Sequence, residues 1–179
     1  MKLIQIIDYS KSNQLLVESK RIAVRAIIFK DHKLMMIQSQ KIKEYKFPGG
    51  GKLNNESHLD ALIRETKEEA GLHVIPSTIK PYGFVKEIRK SNLKDNQLFE
   101  MESYYYTCEV EDGVFETNLD DYEIEYNYQL TCVEIDQAIH QNESCLSQIE
   151  SAPWIYRELI VLKDLKETLY NKENQYEII

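Results

Sequence analysis

The sequence predicts an α/β fold, and three features carry that prediction. A run without Gly or Pro from Glu56 to Ala70 has apolar residues at helical spacing. Segments rich in β-branched and aromatic residues, Arg21 to Phe29, Lys33 to Gln38 and Leu98 to Val110, lie on both sides of it. A second long helical run follows Pro153, where the missing N–H costs little in a first turn. The chain of 179 residues shows no break in composition, so residues 1–179 read as one domain, with an extension over 1–20 and a terminal helix over 151–170.

In chain order, residues 3–7 suit a short strand, Tyr9 to Gln14 a turn, and Leu15 to Val17 a second short strand. Arg21 to Phe29 and Lys33 to Gln38 form a hairpin about Asp31-His32, the floor of the sheet. Gln40 to Tyr45 is a charged loop, and Lys46-Phe47-Pro48 leads into Gly49, Gly50 and Gly51, where the backbone can turn sharply and approach a ligand. The helix that follows, of about four turns, takes Asn54 or Asn55 as its cap and stops at Gly71. Leu59, Leu62, Ile63, Thr66 and Ala70 make one stripe facing a core. Glu65, Glu68 and Glu69 stand side by side on the adjoining face. Like charges so placed cost a few tenths of a kcal/mol per pair, and a cation is expected to offset them.

Past this helix, Leu72 to Ile75 and Ile79 to Arg89 have strand character, Pro81 arguing against a long uninterrupted central strand. Arg89 to Gln97 is turn-rich. In Leu98 to Val110 a period of two puts Phe99, Met101, Tyr105 and Thr107 on one face, and Glu100, Glu102, Tyr104 and Tyr106 on the other. Glu109 to Tyr126 reads as a solvated acidic loop, Tyr128 to Glu134 as a strand, and Asp136 to Gln141 as a short helix. Trp154, Ile155, Leu159, Ile160, Leu162 and Leu165 give the last helix an apolar face that packs on the sheet, a homodimer interface being its other use.

The net charge of −8 and the absence of a basic cluster argue against a nucleic-acid partner, which needs Lys and Arg gathered on one face. Small phosphorylated substrates remain, because a bound metal can supply positive charge. The apolar run at the amino terminus is too short for a signal peptide, and no segment approaches a membrane span. Cys108, Cys132 and Cys145 have neither disulfide nor zinc spacing, so a reduced, cytoplasmic setting is expected.

A glutamate row beside a glycine loop suits Mg²⁺, which takes oxygen ligands from one or two carboxylates plus substrate phosphates. A solvated acidic helix face is the plain alternative. Spacing decides between them. Gly50-x5-Glu56-x7-Arg64-Glu65-Thr66-x-Glu68-Glu69-x-Gly71-Leu72 resembles the Nudix box of the Nudix hydrolase superfamily at every position but Thr66, where the family usually has an aliphatic residue. The resemblance implies a Nudix-type α/β/α sandwich with a mixed β-sheet between helices. It further implies hydrolysis of a nucleoside diphosphate linked to another group (a nucleoside triphosphate, nucleotide sugar or ADP-ribose type substrate), with water attacking phosphorus and Mg²⁺ or Mn²⁺ bound.

On that resemblance Glu68 and Glu69 are metal ligands, and Glu65 is a third ligand or the base. Glu56 and Arg64 brace the loop against the helix, and Gly50, beside Gly51, lets the backbone approach the metal. For a base outside the box the candidates are Glu102, Glu100, Glu87, Glu123 and Glu125, with Glu102 first because it begins a strand that could return beside the helix. Tyr82, Phe84, Phe99 and Tyr104 to Tyr106 offer faces for a nucleobase, though such residues more often serve a core. Arg25, Lys46, Arg89 and Lys90 could meet phosphate and otherwise read as surface charges. His58 and His73 read as solvent-facing. Two rival readings are a non-catalytic Nudix-fold nucleotide-binding regulator, usually betrayed by lost box carboxylates, and an isoprenoid-diphosphate isomerase, whose cysteine no position near the box supplies.

Overall fold

The computed structural model describes residues 1–10, 17–90, 97–150 and 152–176. Its strands in chain order are β1 (Lys2–Asp8), β2 (Val17–Ile27), β3 (Phe29–Lys30), β4 (Lys33–Ser39), β5 (Tyr45–Lys46), β6 (Lys80–Lys90), β7 (Leu98–Thr107) and β8 (Tyr128–Val133). The helices are α1 (His58–Ala70), α2 (Asp121–Tyr126), α3 (Ile135–Ser144) and α4 (Trp154–Tyr176). The class is α/β with a mixed sheet, as the sequence predicts. Residues 11–16 of the expected turn and second strand, and 91–96 of the turn-rich stretch, lie outside the described residues.

Residues 1–28 and 47–121 form one compact unit. Its four-stranded sheet has the order β1-β6-β7-β2, with β6 and β7 antiparallel and the outer pairs parallel. Pro81 does not shorten β6, which runs for 11 residues. A register shift between Pro81 and Gly83 absorbs the proline at the strand's start, and pairing with β1 begins only at Gly83, so the absent N–H breaks no bond there. Leu72 to Ile75 forms no strand and makes a single bridge, Val74 with Val110. Ile27, Phe47, Leu62, Leu72, Val85 and Tyr105 are fully buried, and each large apolar side chain so placed contributes about 1.5–3 kcal/mol. The Phe47 and Tyr105 rings meet edge to face at 5.6 Å.

Helix α1 departs from expectation in its cap and its buried face. Ser57 caps it, its hydroxyl accepting the Asp60 N–H at 3.1 Å, whereas Asn55 turns the chain beforehand at φ +63°. Gly71 ends the helix as expected, in the left-handed conformation at φ +64°. The buried residues are Ala61, Leu62, Thr66, Glu69 and Ala70. Leu59 remains 44% exposed, so the inward stripe is rotated to take in Glu69.

Residues 29–46 and 122–179 form the second unit. Here β3, β5 and β8 all pair antiparallel with β4. Asp31 and His32 make the expected turn, both with positive φ (+50° and +64°), the conformation whose twist suits a two-residue hairpin. The run Arg21 to Phe29 is not one strand of that hairpin. It divides at Ile28, pairing with β7 up to Ile27 and with β4 from Phe29. Asn142 of α3 ties down β5, accepting the Tyr45 N–H at 2.7 Å and donating to its carbonyl at 2.9 Å. Ile155, Leu159, Val161, Leu162 and Leu165 form the buried side of α4. The acidic stretch expected as loop contains α2. Among the described residues no helix is long and apolar enough to cross a membrane.

Candidate active site

The glycine loop is an extra rung on the free edge of β2. Ala26 N–H donates to the Pro48 carbonyl at 2.8 Å, Val24 N–H to that of Gly50 at 2.9 Å, and Lys52 N–H to that of Ile22 at 2.9 Å. Gly49 has φ +135°, and a Cβ there would stand 2.1 Å from the Val24 carbonyl oxygen. At Gly50 a Cβ would stand 2.0 Å from Glu65 Oε2. Both glycines are therefore required, the first by conformation and the second by the carboxylate against it.

Arg64 gathers the box. Its Nε and Nη2 donate to Glu56 Oε1 and Oε2 at 2.8 and 2.9 Å, its Nη1 to Glu65 Oε1 at 2.7 Å and Glu68 Oε2 at 3.0 Å, and its Nη2 also to the Gly51 carbonyl at 3.1 Å. Glu56 in turn accepts the Leu53 N–H at 2.9 Å. The Arg64 guanidinium holds the Glu56 carboxyl down to about 2. Glu65 goes the other way. Burial raises its carboxyl above the usual range, opposed by the positive charges of Arg64 and Arg25. Lys52, which the sequence did not single out, donates to the Glu56 carbonyl at 2.8 Å.

The three glutamates of the row do different things. Glu65 and Glu68 share Arg64 Nη1, whereas Glu69 turns inward, 4% exposed, and accepts the Gly49 N–H through Oε2 at 2.7 Å. Among the described residues, no group of three or more His, Cys, Asp or Glu side chains is drawn together closely enough to hold a metal ion. The donor chemistry nevertheless fits a hard divalent cation, since every side-chain donor in the row is a carboxylate oxygen. The missing Cβ at Gly50 is what lets Glu65 Oε2 lie against bare backbone.

The remaining candidates each have a different setting. Glu102 accepts the Tyr104 hydroxyl at 2.7 Å, and strand alternation puts it on the sheet face opposite Arg25. Glu100, on the same face as Glu102, is buried and paired with Lys20 at 2.9 Å and Lys86 at 2.7 Å. Burial raises its carboxyl, but the two ammonium groups more than reverse this. Glu87 is buried on the face that carries Arg25. Glu123 and Glu125 belong to the second unit, near Lys46 at 3.9 Å and Lys41 at 2.5 Å respectively.

Lys46 itself is buried there, over the Tyr128 ring at 4.0 Å. Arg89 lies over the Phe99 ring at 4.7 Å, and Lys90 is exposed. Phe84 stacks on Tyr104 at 5.2 Å, so those faces already have aromatic neighbours. Neither histidine is simply solvent-facing. His58 leans on Tyr104 at 4.5 Å and meets the Tyr106 hydroxyl at 2.8 Å, and His73 stacks on Phe115 at 3.9 Å. Burial pushes the Cys108 thiol up to about 12, Cys145 is also buried, and Cys132 is exposed.

A profile of the NUDIX domain matches residues 19–154. No curated protein matches the sequence. Among solved structures, a NUDIX hydrolase from Nitrosomonas europaea is similar at a TM-score of 0.53 and 15% identity, over 74% of this chain and 90% of that one. The MutT NUDIX hydrolase from Burkholderia pseudomallei aligns at 0.49 and 18% identity, over 66% and 86%. An ADP-ribose pyrophosphatase from Streptococcus suis aligns at 0.42 and 20% identity, over 65% and 75%. At these identities the likeness to the Nitrosomonas europaea protein is one of fold.

Proposed function

The chain belongs to the Nudix hydrolase family, and on that premise we propose that it hydrolyses a pyrophosphate bond in a nucleotide-linked substrate, by water attack at phosphorus with a divalent metal ion bound. The observation that supports this most is the Arg64 hub. A single guanidinium orients Glu56, Glu65 and Glu68 and reaches the Gly51 carbonyl, tying the carboxylate row to the glycine loop.

Glu68 and Glu69 would hold Mg²⁺, or Mn²⁺ in its place; when bound, the ion neutralises charge on phosphoryl oxygens and makes a water more acidic. Arg64 acts by orientation, because its donors are committed to Glu56, Glu65, Glu68 and Gly51. Glu65 Oε1 is held by Arg64, which leaves Oε2 to take the proton from the attacking water. Burial helps it do so, since a proton acceptor is more effective as its pKa approaches the working pH. A side chain at position 50 would overlap that oxygen, and Gly50 avoids this.

The test is turnover of nucleoside triphosphates, nucleotide sugars and ADP-ribose with Mg²⁺ or Mn²⁺, followed by release of phosphate, pyrophosphate or nucleoside monophosphate. Glu68→Gln and Glu69→Gln are expected to lower kcat by orders of magnitude with the fold intact, and full activity in both would sink the ligand assignment. Glu65→Gln is expected to fall as far, with Glu102→Gln much less affected. If Glu102→Gln proves the more damaging of the two, the base is Glu102. No turnover of any substrate would favour a binding regulator.

A further inference from the structure

Arg25 is half-buried on β2, and its Nη1 donates to the carbonyl of Gly49. On the other side of the same residue, the Gly49 N–H donates to Glu69 Oε2 at 2.7 Å. Both polar groups of one glycine are thus held by opposite charges, a cation on the oxygen and an anion on the nitrogen, and hydrogen bonds to charged partners are about twice as strong as neutral ones. Gly49 has need of such restraint. Its φ of +135° is one that a glycine enters and leaves easily. The next residue, Gly50, is the one whose bare Cα lies against Glu65 Oε2. A swing of the Gly49–Gly50 peptide would carry the backbone into that carboxylate or away from it.

We infer that Arg25 is a positioning residue of the hydrolytic site: together with Glu69 it clamps Gly49, and through Gly49 it keeps the glycine loop in register with Glu65. The inference rests on the hydrolase reading for its effect on rate, but not for the clamp itself. Arg25 stands directly opposite Gly49 where the loop pairs with β2, between the Val24–Gly50 and Ala26–Pro48 bonds, so its side chain has only its own partner's carbonyl to reach. Nothing in the box motif marks it, because it lies 24 residues before its partner.

The experiment compares wild type with Arg25→Ala and Arg25→Lys. Backbone amide exchange of Gly49 and Gly50, followed by ¹⁵N NMR without substrate or metal, is expected to quicken by about tenfold or more in Arg25→Ala, the scale of one lost hydrogen bond to a charged group. Mn²⁺ affinity, measured by calorimetry, should fall by about 10- to 100-fold, as when the residues supporting metal ligands are removed. In turnover, kcat should fall about 100-fold with KM unchanged, since a small misplacement of reacting groups costs that much.

Added guanidinium should restore part of the Arg25→Ala rate, and Arg25→Lys should lie between the other two. Unchanged exchange at Gly49 would overturn the inference. So would a raised KM at unchanged kcat, which would make Arg25 a substrate contact instead. A wild type that hydrolyses nothing defeats the hydrolase reading alone, and the exchange comparison still judges the clamp.

Discussion

Arg64 and Glu56 meet in a two-pronged ion pair, Nε to Oε1 at 2.8 Å and Nη2 to Oε2 at 2.9 Å, across eight residues of chain. The pair joins the loop before α1 to the helix itself. Glu56→Gln is expected to lower stability by about 2 kcal/mol, typical of a hydrogen bond to a charged group, and to lower kcat because Glu65 and Glu68 share the guanidinium it steadies. The pH dependence has a definite sign. Glu56 titrates at about 2 in the folded protein against 4.5 when unperturbed, so the pair's contribution is complete above pH 4.5 and is lost as pH falls from 4.5 to about 2. Urea unfolding across that window should show a shallower acid limb in Glu56→Gln than in wild type. Parallel limbs would refute the linkage.

Gly50 and Gly49 should fail in different ways when replaced by alanine. At Gly50 the nearest atoms to the new methyl are the carboxylate end of Glu65, with Oε2 at 2.0 Å, and that flexible side chain can move aside. Gly50→Ala is therefore expected to keep its melting temperature and lose most of its kcat. At Gly49 the methyl meets the Val24 carbonyl oxygen at 2.1 Å, and φ is +135°. Backbone cannot yield as a side chain does, so Gly49→Ala should lower stability by a few kcal/mol and activity with it. Thermal melts and initial rates on the two variants check this. Equal loss of stability in both would show that Glu65 is not free to move.

The box could be read from the sequence because its contacts are local in the chain: Glu56, Arg64 and Glu68 lie within a few helical turns, and Gly71 stops the helix through its own backbone. Elsewhere the deciding partner is distant. Glu69 is drawn inside by the Gly49 amide 20 residues earlier, an attraction that helical periodicity does not encode. Ser57 is the cap instead of Asn54 or Asn55 because Asn55 is already taken up by a left-handed turn. The Arg21 to Phe29 run carries no mark at Ile28, being apolar on either side, so its division between two sheets is settled by which strands pair with it. Helix α2 is only six residues long and sits in an acidic stretch where charge suggests solvation. The candidate bases are the hardest case, since strand alternation assigns faces within β6 and β7 but says nothing of what crosses those faces.

His58 offers a test of the first turn of α1 by pH. Its Nδ1 is 2.8 Å from the Tyr106 hydroxyl, and its ring lies 4.5 Å from that of Tyr104. Burial holds its pKa below the ordinary 6.5, the charge of Lys52 adds to this, and Glu102 opposes it. The helix amino terminus disfavours an imidazolium for the same electrostatic reason that it favours anions. The unfolded chain therefore binds a proton at His58 more readily than the folded protein does. Its contribution to stability is complete above pH 6.5 and is lost as pH falls through 6.5 to the lower folded value. His58→Phe keeps a ring over Tyr104 and removes the titration. Its absolute stability can drop through loss of the Tyr106 hydrogen bond, so the slope is the quantity to compare. Melting temperature should decline less steeply below pH 6.5 in His58→Phe than in wild type. Identical slopes would mean that the imidazole accepts its proton in place, as a cation compatible with the start of the helix.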